Sequence, residues 1–160
     1  MLLSILNDHE RWMRLALEEA NLAYTQGEVP VGAIVVRSGA VLGKGHNQMR
    51  SLSDPTAHAE MIAISAAANT TDDARLEEAD IYVTLEPCSM CAGALVLSRI
   101  KRLYFAVDDP KTGACGSVLD IVRDPRINHS IEVYRGILEM EASELLTDFF
   151  SGLRTKHSKR

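Results

Sequence analysis

A histidine and a glutamate two positions apart, His58-Ala59-Glu60, and a cysteine pair, Pro87-Cys88-Ser89-Met90-Cys91, dictate most of what this chain can be. His58, Cys88 and Cys91 supply one imidazole and two thiolates, a donor set suited to tetrahedral Zn²⁺. Three protein ligands leave the fourth position to water, which loses a proton near neutral pH on such a cation, whereas four protein ligands close the site and make it structural. Glu60 suits the role of carrying that water's protons better than that of fourth ligand. The spacing also constrains the backbone. Residues two apart inside a helix point about 200° away from each other, so His58 and Glu60 converge only where a helix is just beginning. Cysteines three apart in a first helical turn share a face, and the positive helix end favours thiolate. Two helix starts, each just after a loop or strand, are therefore expected to meet around one metal.

Two plainer readings compete. A Cys-x-x-Cys can be a redox pair, which leaves His58 and Glu86-Pro87 without a part. A closed structural zinc site needs a fourth ligand from His9, His46, Cys115, His129 or His157, and none of these has a paired spacing. The open, catalytic site is the expectation, with one Zn²⁺ per chain.

The rest of the sequence reads as an α/β domain. Asn7 or Asp8 can cap a helix that runs to about Tyr24 with Trp12 as a core anchor, and Gly27 stops it. Apolar, β-branched residues 29–37 turn at Ser38-Gly39 into residues 41–45, an antiparallel hairpin. A polar loop over 47–56 leads into a helix over 57–68. Strands follow at 81–85 and 102–107, with a short helix over 89–98 between them, then a turn-rich loop over 108–116. A fifth strand at 131–134 and an amphipathic helix over 139–156 close the pattern. Strands separated by helices of about ten residues imply βαβ crossovers and a largely parallel sheet covered on both faces. At 160 residues, 46% hydrophobic and 24% charged, this is one domain over 1–160 with a core of useful size.

Charge and cysteine usage narrow the function classes. A net charge of −5 argues against a nonspecific nucleic-acid binder. The tail 151–160 nevertheless carries four Lys/Arg and no acid, as a solvated end or as a local cationic patch. No apolar run approaches the roughly 20 residues of a membrane span, and residues 1–6 lack the basic leader of a secretory signal. Three cysteines, two of them in a ligand motif, form no disulfide framework and point to the cytoplasm.

The pattern His-x-Glu followed by Pro-Cys-x-x-Cys is the signature of zinc nucleobase deaminases, and this chain resembles the bacterial tRNA adenosine deaminases, which make inosine at the wobble base of an anticodon. The resemblance runs from Trp12 to Arg154. Its general blocks are Val29-Pro30-Val31-Gly32-Ala33, Asp54-Pro55-Thr56-Ala57-His58-Ala59-Glu60 and Leu85-Glu86-Pro87-Cys88-Ser89-Met90-Cys91-Ala92-Gly93-Ala94, shared in part with relatives that act on free bases. Asp109-Pro110-Lys111-Thr112-Gly113-Ala114, Asn128-His129 and Asp148-Phe149-Phe150 with Leu153-Arg154 are more specific to the tRNA enzymes.

The resemblance implies a cytidine-deaminase-like, three-layer α/β/α sandwich with a mixed five-stranded sheet, and a homodimer whose active sites each borrow from the neighbour. It assigns His58, Cys88 and Cys91 to zinc and Glu60 to proton transfer. Asn47 would hydrogen-bond the flipped nucleotide, Val31 would line the base pocket, and the backbone around Ala59 and Glu86 would complete it. Asp109, Lys111, Asn128, His129, Phe149, Phe150 and Arg154 would meet the anticodon loop. Cys115 stands where a small residue is expected, a matter of local packing. Phe149 and Phe150 are adjacent on one helix, so both cannot face one core: either one packs inside while the other stays open to stack on a base, or both sit at a subunit interface. Two other functions stay open: a deaminase of free guanine or cytosine, and a zinc RNA-binding subunit without catalysis, for which Glu60 would have no use.

Overall fold

The computed structural model describes residues 1–158; Lys159 and Arg160 of the basic tail lie outside the described residues. The elements run α1 (Leu2–Thr25), β1 (Gly32–Arg37), β2 (Ala40–His46), α2 (Ala59–Thr71), β3 (Asp80–Leu85), α3 (Ser89–Leu97), β4 (Arg102–Val107), β5 (Glu132–Arg135) and α4 (Glu139–His157). The first helix starts earlier than expected. Residues 2–6 contain no breaker, so the helix passes through Asn7 and Asp8 and neither caps it. Val29-Pro30-Val31 is not part of a strand: the Val31 amide bonds back to the Val29 carbonyl at 2.8 Å, a tight local turn, and the ladder begins at Gly32.

The sheet order is β2-β1-β3-β4-β5. The hairpin β1–β2 and the pair β1–β3 are antiparallel, whereas β3–β4 and β4–β5 are parallel. The sheet is therefore mixed, with parallel pairing confined to one half rather than dominant. β2 and β3 point the same way because both oppose β1, so α2 makes a crossover that skips one strand.

Alternation along the strands sorts the core into two layers. Ala33, Val35, Ile81, Val83, Leu103 and Phe105 face α2 and α3, which contribute Ala59, Ala63, Ala67, Ala92 and Leu95. Ile34, Val36, Tyr82, Tyr104 and Ala106 face the other side, toward Trp12, Met13 and Ala16 of α1 and Ala142 of α4. On that second face Tyr82, Tyr104 and Tyr134 sit opposite one another on three strands and stack at 4.6 and 5.0 Å between ring centres. Helix, sheet and helix thus form three layers.

Two glycines of β2 set how closely α2 lies on the sheet. A Cβ on Gly43 would meet the Ala63 carbonyl at 2.4 Å, and one on Gly45 would meet the Ala59 carbonyl at 2.3 Å. The alanine stripe Ala59, Ala63 and Ala67, four residues apart, lies over this bare strand. That seat fixes the start of α2, which carries the first half of the His/Cys constellation.

Candidate active site

Both ligand motifs fall on helix starts. His58 is the N-cap of α2, with φ −77° and ψ 154°, and Cys88 is the N-cap of α3, with φ −74° and ψ 177°. Because His58 is still extended while Glu60 is already helical, their side chains escape the divergence of two residues inside a helix. Cys91 lies in the first turn of α3 and is fully buried. His58 Nδ1 stands 3.6 Å from Cys88 Sγ and 3.6 Å from Cys91 Sγ.

That triangle fits a tetrahedral zinc. Zn–N near 2.05 Å and Zn–S near 2.3 Å, at a tetrahedral angle, separate nitrogen and sulfur by about 3.6 Å. With the positive ends of α2 and α3 beside them, the donors are placed to hold a cation as thiolates. The titration pattern agrees. The Cys91 thiol and the His58 ring lower Cys88 to about 3, while Cys88 and burial raise Cys91. A bound cation would favour both sulfurs as thiolates. Hydrogen bonding to Cys88 also raises His58.

Among the described residues these three side chains are the only cluster of His, Cys, Asp or Glu close enough to share an ion. The other candidate fourth ligands are engaged elsewhere. His9 bonds Tyr82 at 2.8 Å, His46 lies between Glu19 and Gln26, and His157 meets the Leu153 carbonyl. Cys115 is buried beside the Pro87 carbonyl, an environment that fits it as a packing residue. Among the described residues none of these candidates joins His58, Cys88 and Cys91 as a fourth donor.

A pocket of about 170 Å³ opens over these donors. It is smaller than a drug-sized cavity. Val31, Asn47, His58, Ala59, Glu60, Glu86, Cys88 and Asp109 all line it, as do Val29, Met49, Leu85 and Thr112. It lies at the carboxyl ends of β2 and β3, where open α/β sheets commonly hold ligands. Glu60 is 4% exposed, and burial raises its carboxyl to about 6.

Two loops wall the pocket, and a buried carboxylate braces the one that follows β4. Glu86 accepts from the amides of Asp109, Cys115 and Ser117 and from the Ser117 hydroxyl. Its side chain thus organises the loop, beyond the backbone role expected of it. Glycine at 113 fits the close approach there, since a Cβ would come within 2.5 Å of the Asp109 carbonyl, a backbone atom, as well as 2.1 Å of Glu86 Oε2. Asp109 starts the same loop by accepting from the Lys111 and Thr112 amides at 2.9 and 3.2 Å. Lys111 is exposed on this loop. Across the pocket Asn47 is 6% exposed, donates to the Val29 carbonyl at 3.3 Å and accepts from the Met49 amide at 3.4 Å.

Other expected residues are placed differently. His129 bonds the Ile100 carbonyl at 2.6 Å, and a cleft it lines with Glu77, Glu78, Arg99 and Lys101 sits where β3 and β4 begin. The pocket is at the other end of those strands, about 17 Å away at the usual rise per residue. Asn128, next to it in the chain, is exposed. Neither residue reaches the pocket of its own chain. Of the adjacent pair, Phe149 is the one that packs inside: it is 8% exposed and lies edge-on against Tyr24, whose hydroxyl donates to Asp148. Phe150 is 42% exposed, and Arg154 is exposed on the last turns of α4. Arg50, which sequence reasoning passed over, joins Leu153, Lys156 and His157 in lining a groove of about 320 Å³. Its clue was a cation amid the otherwise uncharged residues 47–53.

Comparison with known proteins sharpens the chemistry. The family profile of MafB19-like deaminases matches residues 7–154. The tRNA-specific adenosine deaminase of Aquifex aeolicus is 49% identical over 145 residues, 91% of this chain and 95% of that protein. That of Bacillus subtilis is 44% identical over 147 residues, covering 92% and 91%. A solved structure from studies of A-to-I editing by tRNA:A34 deaminases at the wobble position superposes with a TM-score of 0.82 and 45% identity, covering 85% of this chain and 99% of that one. The guanine deaminase of Nitrosomonas europaea, at 24% identity and a TM-score of 0.77 over 88% and 83% of the two chains, shares the fold.

Proposed function

Because the chain belongs to the tRNA-specific adenosine deaminases, we propose a division of labour among its residues for that family's reaction. The enzyme converts the adenosine at the wobble position of a tRNA anticodon to inosine, with water as co-substrate and ammonia as the second product. His58, Cys88 and Cys91 hold one Zn²⁺ per chain. When bound, that ion supplies a water activated for attack at neutral pH. Glu60 carries the protons. It takes one from the water, gives it to N1 of the adenine ring, and relays another to the amino group leaving C6. Burial suits it to this, because a carboxyl raised toward neutrality both accepts and releases a proton.

The pocket residues bind and orient. Val31 and Ala59 flank the base with apolar surface, and Asn47, held by Val29 and Met49, offers its amide to the flipped nucleotide. A base must leave its stack to enter, which costs least in a single-stranded loop. Lys111, Phe150 and Arg154, with the groove of Arg50, Lys156 and His157, supply cations and an open ring for the flanking nucleotides. Asn128 and His129, remote within one chain, serve the pocket of a second copy in a homodimer. No described helix is long and apolar enough to cross a membrane, and a tRNA substrate supports a cytoplasmic location.

The observation that carries this reading is the His58–Cys88–Cys91 triangle at zinc spacing with a buried Glu60 in the same pocket. Glu60→Gln tests it: zinc by elemental analysis should stay at one per chain while deamination falls by several powers of ten. Near-normal turnover would move the proton work to another residue, and loss of zinc would make Glu60 a ligand.

A further inference from the structure

Glu28 is 1% exposed, yet it is an acid set between a helix and a strand and has no part in the chemistry above. Both of its oxygens are occupied by main-chain donors from a distant loop: the Arg50 amide at 3.1 Å and the Ser51 amide at 2.7 Å. Its neighbours reach the same loop. The Gly27 carbonyl accepts from the Arg50 guanidinium at 3.1 Å, and the Val29 carbonyl accepts from the Asn47 side chain at 3.3 Å. Three consecutive residues of the α1–β1 connector thus clasp the β2–α2 loop. None of residues 48–56 is buried, so no apolar contact in a core holds that segment in place. Its position rests on hydrogen bonds, and those made by a buried carboxylate are the strong kind.

The loop matters because of what it carries. Asn47 and Met49 form one wall of the pocket, and Arg50 lines the cationic groove beside α4. We propose that Glu28 is a positioning residue: it holds the β2–α2 loop so that Asn47, Met49 and Arg50 meet the target nucleotide and its flanking phosphates in register. This rests on the tRNA-deaminase reading for its substrate, while the brace stands on geometry alone. The Glu28 carboxylate bonds the Arg50 and Ser51 amides rather than His58, Cys88, Cys91 or Glu60, so its removal should weaken substrate placement and leave the chemical step largely intact. Glu86 does the corresponding work for the opposite wall.

The test combines kinetics on an anticodon stem-loop RNA with amide hydrogen exchange on the full-length, zinc-loaded protein. Glu28→Gln keeps the shape but presents a donor to one of the two amides. Glu28→Asp keeps the charge and shortens the reach by one methylene. For Glu28→Gln, exchange at Arg50 and Ser51 should quicken about tenfold or more, and kcat/KM should fall by about the same factor, chiefly through KM. Zinc content should stay at one per chain, and Glu28→Asp should fall between the two and serve if the glutamine variant folds poorly. Unchanged exchange and unchanged kcat/KM would overturn the proposal, as would a lowered Tm with normal kinetics, which would reduce Glu28 to a stabilising contact. A loss of kcat accompanied by loss of zinc would also overturn it, by placing its action at the metal. If the wild-type protein makes no inosine, the functional reading fails, and the exchange at Arg50 and Ser51 alone decides the brace.

Discussion

The seat of α2 on β2 offers a sharp test of how the fold builds the site. In Gly45→Ala the new Cβ would stand 2.3 Å from the Ala59 carbonyl and 2.7 Å from the Ala63 amide, both backbone atoms, whereas ordinary contact begins at 3.4 Å. Neither atom can swing aside as a side chain would, so α2 has to retreat by about 1 Å. Ala59 sits between His58 and Glu60, so that retreat moves the ligand and the proton carrier together. Metal sites tolerate ligand displacements of about 0.2 Å, and a 1 Å error in a reacting group costs about 100-fold in rate. The overpacking itself costs about 1–3 kcal/mol, which lowers Tm by several degrees in a chain of this size. Zinc per chain by elemental analysis, Tm by calorimetry and deamination rate form the assay. Gly152→Ala is the control: a Cβ there meets nothing within 4 Å, and alanine inside a helix should leave Tm unchanged or raise it. A Gly45→Ala protein with full zinc, unchanged Tm and normal rate would refute the claim that this close approach sets the site.

Other outcomes follow from the placement of the remaining residues. Cys88→Ala and Cys91→Ala should each lose zinc and activity, and full zinc occupancy in the double variant would contradict the assigned ligands. Phe149→Ala should cost about 3 kcal/mol of stability, as a buried ring does, while Phe150→Ala should leave Tm alone and weaken RNA binding by about 1–3 kcal/mol if its ring stacks on a base; reversed behaviour would exchange their roles. Truncation after Phe150 removes Arg154, Lys156, Lys159 and Arg160 and should lower the slope of log K against log salt by about 0.7 for each RNA phosphate those cations had neutralised, with an unchanged slope marking the tail as a solvated end. Co-purified Glu60→Gln and His129→Ala chains should recover activity that neither has alone, because one site of the mixed dimer is then intact; no recovery would place His129 outside its neighbour's site.

The meeting of His58, Cys88 and Cys91 was legible because metal chemistry constrains spacing and backbone together. His58 and Glu60 two apart demanded a helix start, and His58 is that start's N-cap. The strands and the last three helices were legible from periodicity within a few residues. Strand direction was not, since nothing local tells that β1 runs antiparallel to β3. Val29-Pro30-Val31 has strand composition, yet its backbone bonds locally and becomes pocket wall. Glu28 and Glu86 were illegible as braces because their partners are main-chain amides more than twenty residues away, which leave no trace in side-chain pattern. The distance of His129 from its own pocket likewise depends on which end of the sheet its loop returns to.

The central claim is a reaction on tRNA, and product identity decides it. The purified, zinc-loaded chain should be incubated in parallel with bulk tRNA and with free guanine, and the products separated after nuclease digestion and chromatography. Inosine appearing at the wobble position of tRNA, with ammonia released in equal amount and no xanthine from guanine, is the expected result. Xanthine from guanine with tRNA left unedited would contradict it.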